Sequence, residues 1–187
     1  MKKLLILLVL GATMLTPAHA QMTFDDVTIP GTLTISNQSL TLNGAGIREK
    51  YFLDLYVGGL YLKSKSSNAD QIIKANEPMA IKLHIISSLI DSEKMIDAVD
   101  EGMEKSTGGK QDQFKSEISA FKNAFKEEIE IGDIYDIGYT PKGGTVIIKN
   151  GKSVATIPGF EFKKALFGIW LCDDPADEDL KEGMLKG

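Results

Sequence analysis

The sequence is poor in the residues on which many catalytic and metal-binding sites depend. Its 187 residues include one cysteine, Cys172, and two histidines, His19 and His84. One cysteine cannot form a disulfide within the chain, and zinc or copper sites require clusters of His and Cys side chains. We therefore expect no metal site and no cofactor. Cys172 itself is expected to be a small buried hydrophobe, with a reactive thiol as the less favoured alternative.

The scarcity of histidine also argues against hydrolysis through a Ser-His-Asp or Cys-His arrangement. His19 belongs to an N-terminal segment that we expect to be removed, so such a site would depend on His84. His84 stands in an alternating run, Met79 to Ser87, which is typical of a β-strand. A half-buried structural histidine is the favoured interpretation of this position.

Basic residues are outnumbered by acidic ones, 21 to 26, and the formal net charge is −5 at pH 7. The charge becomes −7 if Lys2 and Lys3 are lost with the N-terminal segment. A net-acidic surface argues against nucleic acid or an anionic membrane as the partner. Arginine is the rarest basic residue, because Arg48 is the only one in the sequence.

Long apolar runs are also missing beyond residue 20, where none reaches the roughly 18 residues that a membrane helix needs. No stable membrane span is therefore expected. The first 20 residues match a signal peptide, because Lys2 and Lys3 precede an apolar segment, Leu4 to Leu15, and an Ala18-His19-Ala20 cleavage site. We predict cleavage after Ala20, one mature domain over residues 21–187, and a periplasmic or secreted location.

The mature chain is organised around the stretch from Ser39 to Lys63, SLTLNGAGIREKYFLDLYVGGLYLK. Its composition predicts one long strand, or two strands that meet at a bend near Gly44 and Gly46. These glycines and the later pair, Gly58 and Gly59, indicate bulges or close approach of another backbone.

Further strands and helices are predicted on both sides of this stretch. Two short strands are indicated over residues 21–35, and a hairpin with an Asn150-Gly151 turn follows a strand over residues 133–140. Helical patterns are expected over residues 68–75, 91–107, 111–130, 160–169 and from 173 onward. This order predicts an α+β fold in which a large antiparallel sheet carries a layer of helices on one face.

Arg48 is the most informative single residue. Strand alternation groups it with Phe52 and Tyr56 on a mixed face that resembles the lining of a cleft. A guanidinium is always charged, and its planar fork suits a carboxylate or a polarised oxygen. Arg48 could therefore anchor the acidic end of an otherwise apolar ligand. An exposed strand charge, or an ion pair with Asp54, is the alternative.

Four segments carry a resemblance to a known family. One is LNGAGIREKYFLDLYVGGLYLK, in which a G-x-G-x-R turn precedes a strand ending in G-[LV]-Y-L; the others are IDSEKMIDAVDEGMEKS, GDIYDIGYTPKGGTVIIKNGK and FKKALFGIWLCDDPADEDLKEGML. Together they span nearly the whole mature chain and resemble chalcone isomerase-like proteins, the bacterial exported branch more than the plant enzymes. The resemblance implies an open-faced β-sandwich with a ligand cleft between the sheet and its helices.

The resemblance also implies roles for individual residues. The plant enzymes close a flavanone ring by adding a phenolate to an enone, with an arginine holding the anion and a threonine and a tyrosine polarising the ketone. Arg48 matches that arginine, and Lys94 matches a lysine of the plant cleft. The threonine position falls on Tyr56, and the tyrosine position falls on Asp91. An ionised Asp91 accepts hydrogen bonds and cannot donate them, and a helix N-cap is an adequate role for it.

Other members of the family bind fatty acids and use the arginine and a tyrosine to hold the carboxylate. We therefore expect a non-catalytic exported protein that binds a fatty acid or a similar amphipathic carboxylate. Its candidate ligand contacts are Arg48, Phe52, Tyr56, Asp91 and Lys94. The alternative is an isomerase (intramolecular lyase) that acts on a chalcone-like enone, with Arg48, Tyr56 and Lys94 as the catalytic groups. A third alternative is action through protein partners, which the sequence does not identify.

Overall fold

The computed structural model describes residues 21–24 and 26–186 of the chain. The predicted signal peptide, residues 1–20, lies outside the described residues. Within them, the chain begins with a small antiparallel hairpin of two strands, β1 (Met22–Phe24) and β2 (Val27–Ile29).

The main sheet has seven strands within the described residues, and each strand pairs with the next one along the chain in antiparallel orientation. The strands are β3 (Thr32–Ile35), β4 (Gln38–Lys50), β5 (Leu53–Leu62), β6 (Met79–Ile85), β7 (Ile134–Thr140), β8 (Gly144–Lys149) and β9 (Lys152–Ile157). The sheet is curled, so that Ile35 of β3 lies over Gly138 of β7 although three strands separate them.

The helices occupy the connections and the C-terminal part of the chain. They are α1 (Ala69–Lys74), α2 (Ser92–Thr107), α3 (Lys115–Asn123), α4 (Phe160–Leu171) and α5 (Glu178–Met184), with a 3₁₀ turn at Gln111–Phe114 before α3. The side chains of Asn68, Asp91 and Asp177 accept hydrogen bonds from backbone N–H groups in the first turns of α1, α2 and α5. These N-caps satisfy donors that a helix start leaves unpaired.

Buried side chains lie on both faces of the sheet. On the helix face, residues such as Leu60, Ile81 and Phe167 form the larger core. On the opposite face, the β1–β2 hairpin covers a smaller core that includes Ile29 and Tyr61. The α+β prediction, a large antiparallel sheet with its helices on one face, is confirmed.

The central stretch folds as two strands, but the predicted position of their junction is wrong. The chain reverses at Tyr51 and Phe52, where Lys50 pairs with Leu53 across a two-residue turn. Gly44 and Gly46 instead lie within β4, one of them beside a bulge. The pattern hid this turn because two large aromatic residues occupy it in place of the usual Asn, Asp or Gly.

The predicted close approach of another backbone is confirmed at Gly44 and Gly46, whereas Gly58 and Gly59 face side chains. A Cβ on Gly44 would collide with the carbonyl oxygen of Gly183 in α5, and a Cβ on Gly58 would lie 2.8 Å from Cε of Met184. The bulge leaves Asn43 facing the same helix, where its Nδ2 donates to the carbonyl oxygen of Met184 at 2.8 Å. The C-terminal helix therefore rests directly on the backbone of β4.

Several element boundaries and one strand count differ from the sequence prediction. The helix predicted over residues 111–130 is shorter, because α3 ends at Asn123, although Phe125 and Ile129 beyond it remain buried. The last helix starts after Asp177 and not at residue 173. Residues 21–35 hold three strands where two were expected, within the part of the chain that is described. No helix in that part is both long and apolar enough to cross a membrane.

Candidate ligand-binding cavity

A cavity of about 470 Å³ lies between the sheet and the helices. Small-molecule sites usually measure about 300–1,000 Å³ and are mostly apolar with a few polar groups. The apolar side chains that line it include Leu55, Leu83, Ile90, Met95, Val99, Phe121, Phe125, Ile169 and Trp170. The charged side chains that line it are Arg48, Lys50, Lys94, Asp97, Glu101 and Lys105.

Arg48 is largely shielded from solvent, unlike the other charged groups of this lining. Its side chain is 14% exposed. Lys50, Lys94, Lys105 and Glu101 are between 32% and 61% exposed and pair with one another or with Asp91 and Asp174, so they form the rim. Arg48 is therefore the cation that a ligand inside the cavity would meet.

Asp177 is the partner of Arg48. Nη1 of Arg48 lies 3.5 Å from Oδ2 of Asp177, and the carboxylate is also largely buried. The same oxygen accepts a hydrogen bond of 3.1 Å from the backbone N–H of Glu49, while Oδ1 caps α5 through the N–H of Leu180 at 2.8 Å. Strong charge-assisted hydrogen bonds are shorter, about 2.7–2.9 Å. Asp177 thus positions the guanidinium without forming a short bidentate ion pair with it.

Tyr56 stands directly opposite Arg48 on the neighbouring strand β5. Its hydroxyl oxygen accepts a hydrogen bond of 3.0 Å from Nε1 of Trp170 in α4. Burial raises the pKa of Tyr56, against the opposing effect of the nearby Arg48 charge. The hydroxyl therefore stays protonated at neutral pH, and its own proton remains available for a second hydrogen bond.

Two of the predicted ligand contacts lie elsewhere. Phe52 is 95% exposed at the tip of the β4–β5 hairpin and does not line the cavity, because the turn at residues 51–52 removes it from the face that carries Arg48. Asp91 is not in the lining either, and it caps α2 through the N–H of Lys94 at 2.8 Å. That backbone hydrogen bond is the main reason why the pKa of Asp91 falls below its usual value, so the carboxyl is ionised.

Lys94 lies at the rim of the cavity. Its Nζ is 3.0 Å from Oδ2 of Asp91 and donates to the carbonyl oxygen of Leu89 at 2.9 Å. These two partners hold the ammonium near the start of α2, apart from the pairing of Arg48 with Asp177. The structure therefore brings Arg48 and Tyr56 together and leaves Phe52 and Asp91 outside.

Sequence reasoning missed two residues of this site. Trp170 is the only tryptophan of the sequence, but its position in an apolar run indicated a packed helix and nothing more. Asp177 belongs to an acidic run that had the composition of a helix start, and it is 129 positions from Arg48, whose candidate partner was Asp54. Both roles depend on contacts between residues that are distant in the sequence, and no local pattern indicates such contacts.

The other candidate reactive residues lie outside the cavity lining. His84 is partly buried in β6, and burial, followed by the charge of Lys82, lowers its pKa. Cys172 is partly buried after α4, where burial raises the pKa of the thiol. Among the described residues, no group of three His, Cys, Asp or Glu side chains is arranged to hold a metal ion.

The arrangement suits the binding of an anion or a polarised oxygen next to an apolar group. Arg48 supplies a permanent positive charge and Tyr56 a neutral hydroxyl donor, while the rest of the inner lining is aliphatic or aromatic. The chain thus belongs to the class of α+β proteins in which a curled antiparallel sheet carries helices on one face with a cavity between the two layers.

Comparison with known proteins agrees with this class. A model of the family described as chalcone isomerase-like matches residues 21–186. The chain therefore belongs to the chalcone isomerase-like family. No curated protein matches the sequence. Among solved structures, a fatty-acid binding protein of Arabidopsis thaliana is similar, with a TM-score of 0.67, 18% identity, and coverage of 89% of this chain and 96% of that chain. At that identity the likeness shows a shared fold.

Proposed function

We propose that this protein is a non-catalytic binding protein for a fatty acid or a similar amphipathic carboxylate. The observation that carries the proposal is the direct opposition of Arg48 and Tyr56 in a largely apolar cavity. The guanidinium and the hydroxyl together supply two donors for one carboxylate, and the apolar lining accommodates a hydrocarbon tail. The fold shared with a plant fatty-acid binding protein supports a lipid ligand.

The apolar tail and the charged headgroup of such a ligand would contribute to the binding free energy in different amounts. Apolar burial contributes about 25 cal/mol per Å². A hydrogen bond to a charged group adds about 1.5–3 kcal/mol. The tail therefore supplies most of the affinity, and Arg48 selects an acid over a neutral analogue and fixes its orientation.

The test compares a medium-chain fatty acid with its methyl ester by isothermal titration calorimetry. Arg48→Gln is expected to weaken binding of the acid by about tenfold or more, which corresponds to one charge-assisted contact. It should change binding of the ester much less. Lys50→Gln is the matched control, because Lys50 is a rim cation that pairs with Glu101. An unchanged affinity of Arg48→Gln for the acid would contradict the role of Arg48 as anchor.

Catalysis is the second candidate, because a cation beside a neutral hydroxyl also suits a developing oxyanion. In that case Arg48 and Tyr56 would stabilise the anion of a chalcone-like enone during ring closure, with Lys94 as the further donor. The loss of chalcone absorbance, measured against the spontaneous reaction, distinguishes the two functions. Acceleration that disappears in Arg48→Gln would favour the isomerase.

We further propose that the protein is exported and acts in the periplasm or outside the cell. The basic, apolar and Ala-x-Ala pattern of residues 1–20 supports this location. N-terminal sequencing of protein recovered from the periplasm or the medium should begin at Gln21. Retention of the first 20 residues on a cytoplasmic protein would refute export.

A further inference from the structure

The turn between β4 and β5 carries two large aromatic side chains that contact little of the protein. Phe52 is 95% exposed and Tyr51 is 83% exposed. Leu53 and Leu89, each nearly half exposed, line the cavity together with Tyr51, so the apolar surface continues from the tip of the hairpin to the cavity mouth. Single exposed apolar residues are ordinary, but a continuous patch of them marks an interaction surface.

The backbone at this tip is also unfavourable for the residues that occupy it. Tyr51 and Phe52 have φ values of 55° and 64°, in the left-handed region that disfavours bulky side chains. The chain forms a turn of the same kind with Asn150 and Gly151, at 48° and 78°, which are the residues this shape prefers. Stability alone would favour Asn-Gly at residues 51–52 as well. The aromatic pair therefore combines strain with exposure, a combination that points to function.

The size of the patch distinguishes among possible occupants. Two aromatic side chains offer roughly 300–400 Å² of surface when nearly fully exposed. A stable contact between two proteins usually buries about 800 Å² on each partner. The tip by itself is too small to form a stable contact with a second copy of the chain. It fits a lipid bilayer, whose interface accommodates protruding aromatic side chains that are apolar in the body and, in Tyr, polar at the end.

The charges around the mouth indicate which kind of bilayer surface fits. The nearest cations, Lys50 and Lys94, pair with Glu101 and Asp91, so no free basic cluster faces outward in this part of the described structure. The chain as a whole is net acidic. Attachment to anionic lipid depends on clustered Lys and Arg. The patch therefore matches a surface without net charge.

We propose that Tyr51 and Phe52 insert into the interface of a zwitterionic lipid bilayer and dock the cavity mouth against it. This inference rests on the proposed function, because a fatty acid resides in such a bilayer and would enter the cavity without crossing water. The hairpin is thus a docking tip, and the cavity opens beside it.

The test is flotation of the purified protein with phosphatidylcholine vesicles. The variant Tyr51→Asn/Phe52→Gly copies the Asn150-Gly151 turn, so it retains the hairpin and removes both aromatic side chains. It is expected to bind vesicles about tenfold or more weakly than the wild type, because the interfacial contact of two aromatic rings is lost. Ile131→Asn is the control, since Ile131 is 62% exposed and does not line the cavity. It should float as the wild type does.

Insertion depth gives a second measurement. Phe52→Trp places an indole at the tip, and lipids brominated on the acyl chain should quench its fluorescence, whereas Trp170 is buried and should be quenched little. Added phosphatidylglycerol should not strengthen binding. Failure of the wild type to float, equal flotation of the double variant, or a wild-type dimer that the double variant abolishes would each overturn the proposal.

The outcome is separable from that of the proposed function. Arg48→Gln lacks the anion anchor but keeps the tip, and it should float normally. Binding of fatty acid in solution without flotation would reject the docking tip alone. Flotation without any binding of fatty acid would support docking and reject the proposed ligand.

Discussion

The hydroxyl of Tyr56 and the indole of Trp170 form a buried hydrogen bond of 3.0 Å that joins strand β5 to helix α4. Tyr56 is in turn the cross-strand neighbour of Arg48. The indole thus fixes the orientation of the hydroxyl while leaving the hydroxyl proton free. The two donors that face the ligand, Arg48 and Tyr56, are therefore positioned by the hydrogen bond from Trp170 to Tyr56 and by the pairing of their two strands.

This relationship predicts that Tyr56 and Trp170 are energetically coupled. In urea unfolding, Tyr56→Phe and Trp170→Phe should each lower the free energy of unfolding, Trp170→Phe more because it also removes ring volume. The double variant should be more stable than the sum of the single effects predicts, by about 0.5–1.5 kcal/mol, the value of one buried hydrogen bond. Strictly additive effects would show that the hydrogen bond contributes nothing.

A second prediction concerns the charge beside Arg48. Asp177→Asn keeps an oxygen for the cap of α5, because Asn is as good an N-cap as Asp. It removes the negative charge that competes with a bound carboxylate, so affinity for a fatty acid should rise roughly fivefold, as expected for an attenuated charge interaction near a protein surface. Calorimetry with the methyl ester should show little change.

Asp174→Asn is the matched control for this variant. Asp174 is a neighbouring acid, but its partner is Lys105 at 3.4 Å on the rim. Its removal should leave the affinity for the fatty acid nearly unchanged. Equal gains from Asp174→Asn and Asp177→Asn would point to general electrostatics and away from a specific effect on Arg48.

A third prediction concerns Lys163, which is fully buried in α4. Its Nζ donates to the carbonyl oxygens of Ile72, Ile73 and Ala75 at 3.0, 2.8 and 2.8 Å, at the C-terminal end of α1. Lys163→Met keeps the side-chain length and leaves these acceptors without their donor. We expect unfolding to become easier by about 1–3 kcal/mol, measured by urea titration. Lys164→Met, a change at the partly exposed neighbour, should have a much smaller effect.

Lys163 also predicts a dependence of stability on pH. Burial lowers its pKa from 10.5 to about 8. Between these values the unfolded chain binds more protons than the folded chain, so the free energy of unfolding rises with pH across this window. The rise should amount to about 1 kcal/mol between pH 8 and 9.5, since the three carbonyl acceptors partly favour the ammonium. It should be absent in Lys163→Met, and a wild type that loses stability relative to the variant over this range would contradict the assignment.

A fourth prediction tests the contact of α5 with β4. Gly44→Ala would force a Cβ into the backbone carbonyl of Gly183, and neither backbone can move without disturbing the sheet or the helix. We expect a loss of about 2–3 kcal/mol in the free energy of unfolding. Gly58→Ala is the control, because its Cβ would meet only the flexible ends of Met184 and Leu180. Equal costs for the two variants would show that α5 adjusts freely.

The sequence predicted those parts of the fold that depend on local chemistry. The Asn150-Gly151 turn and the Asp91 cap were found because each satisfies a backbone requirement of its own. The end of α3 was missed because Phe125 continues the helical spacing although the chain has left the helix. The spacing of apolar residues indicates which residues are buried, but a residue such as Phe125 can be buried without lying in a helix.

The candidate site was less accessible to sequence reasoning. Arg48 and Tyr56 were grouped by alternation along one strand, whereas they meet as cross-strand neighbours. Phe52 was assigned to the same face because no turn residue marked the reversal at the tip. The partners Asp177 and Trp170 depend on how α4 and α5 return to the sheet, and no local pattern encodes that return.

The carboxylate of Asp177 belongs to two elements at once. One oxygen holds the first turn of α5, and the other is shared between the N–H of Glu49 and the guanidinium of Arg48. A ligand that engages Arg48 withdraws one of these partners and changes the charge felt at the helix start. The hydrogen-exchange rates of the first backbone amides of α5 would then differ between the ligand-free and the ligand-bound protein. The start of the last helix would thus respond to ligand binding in the cavity.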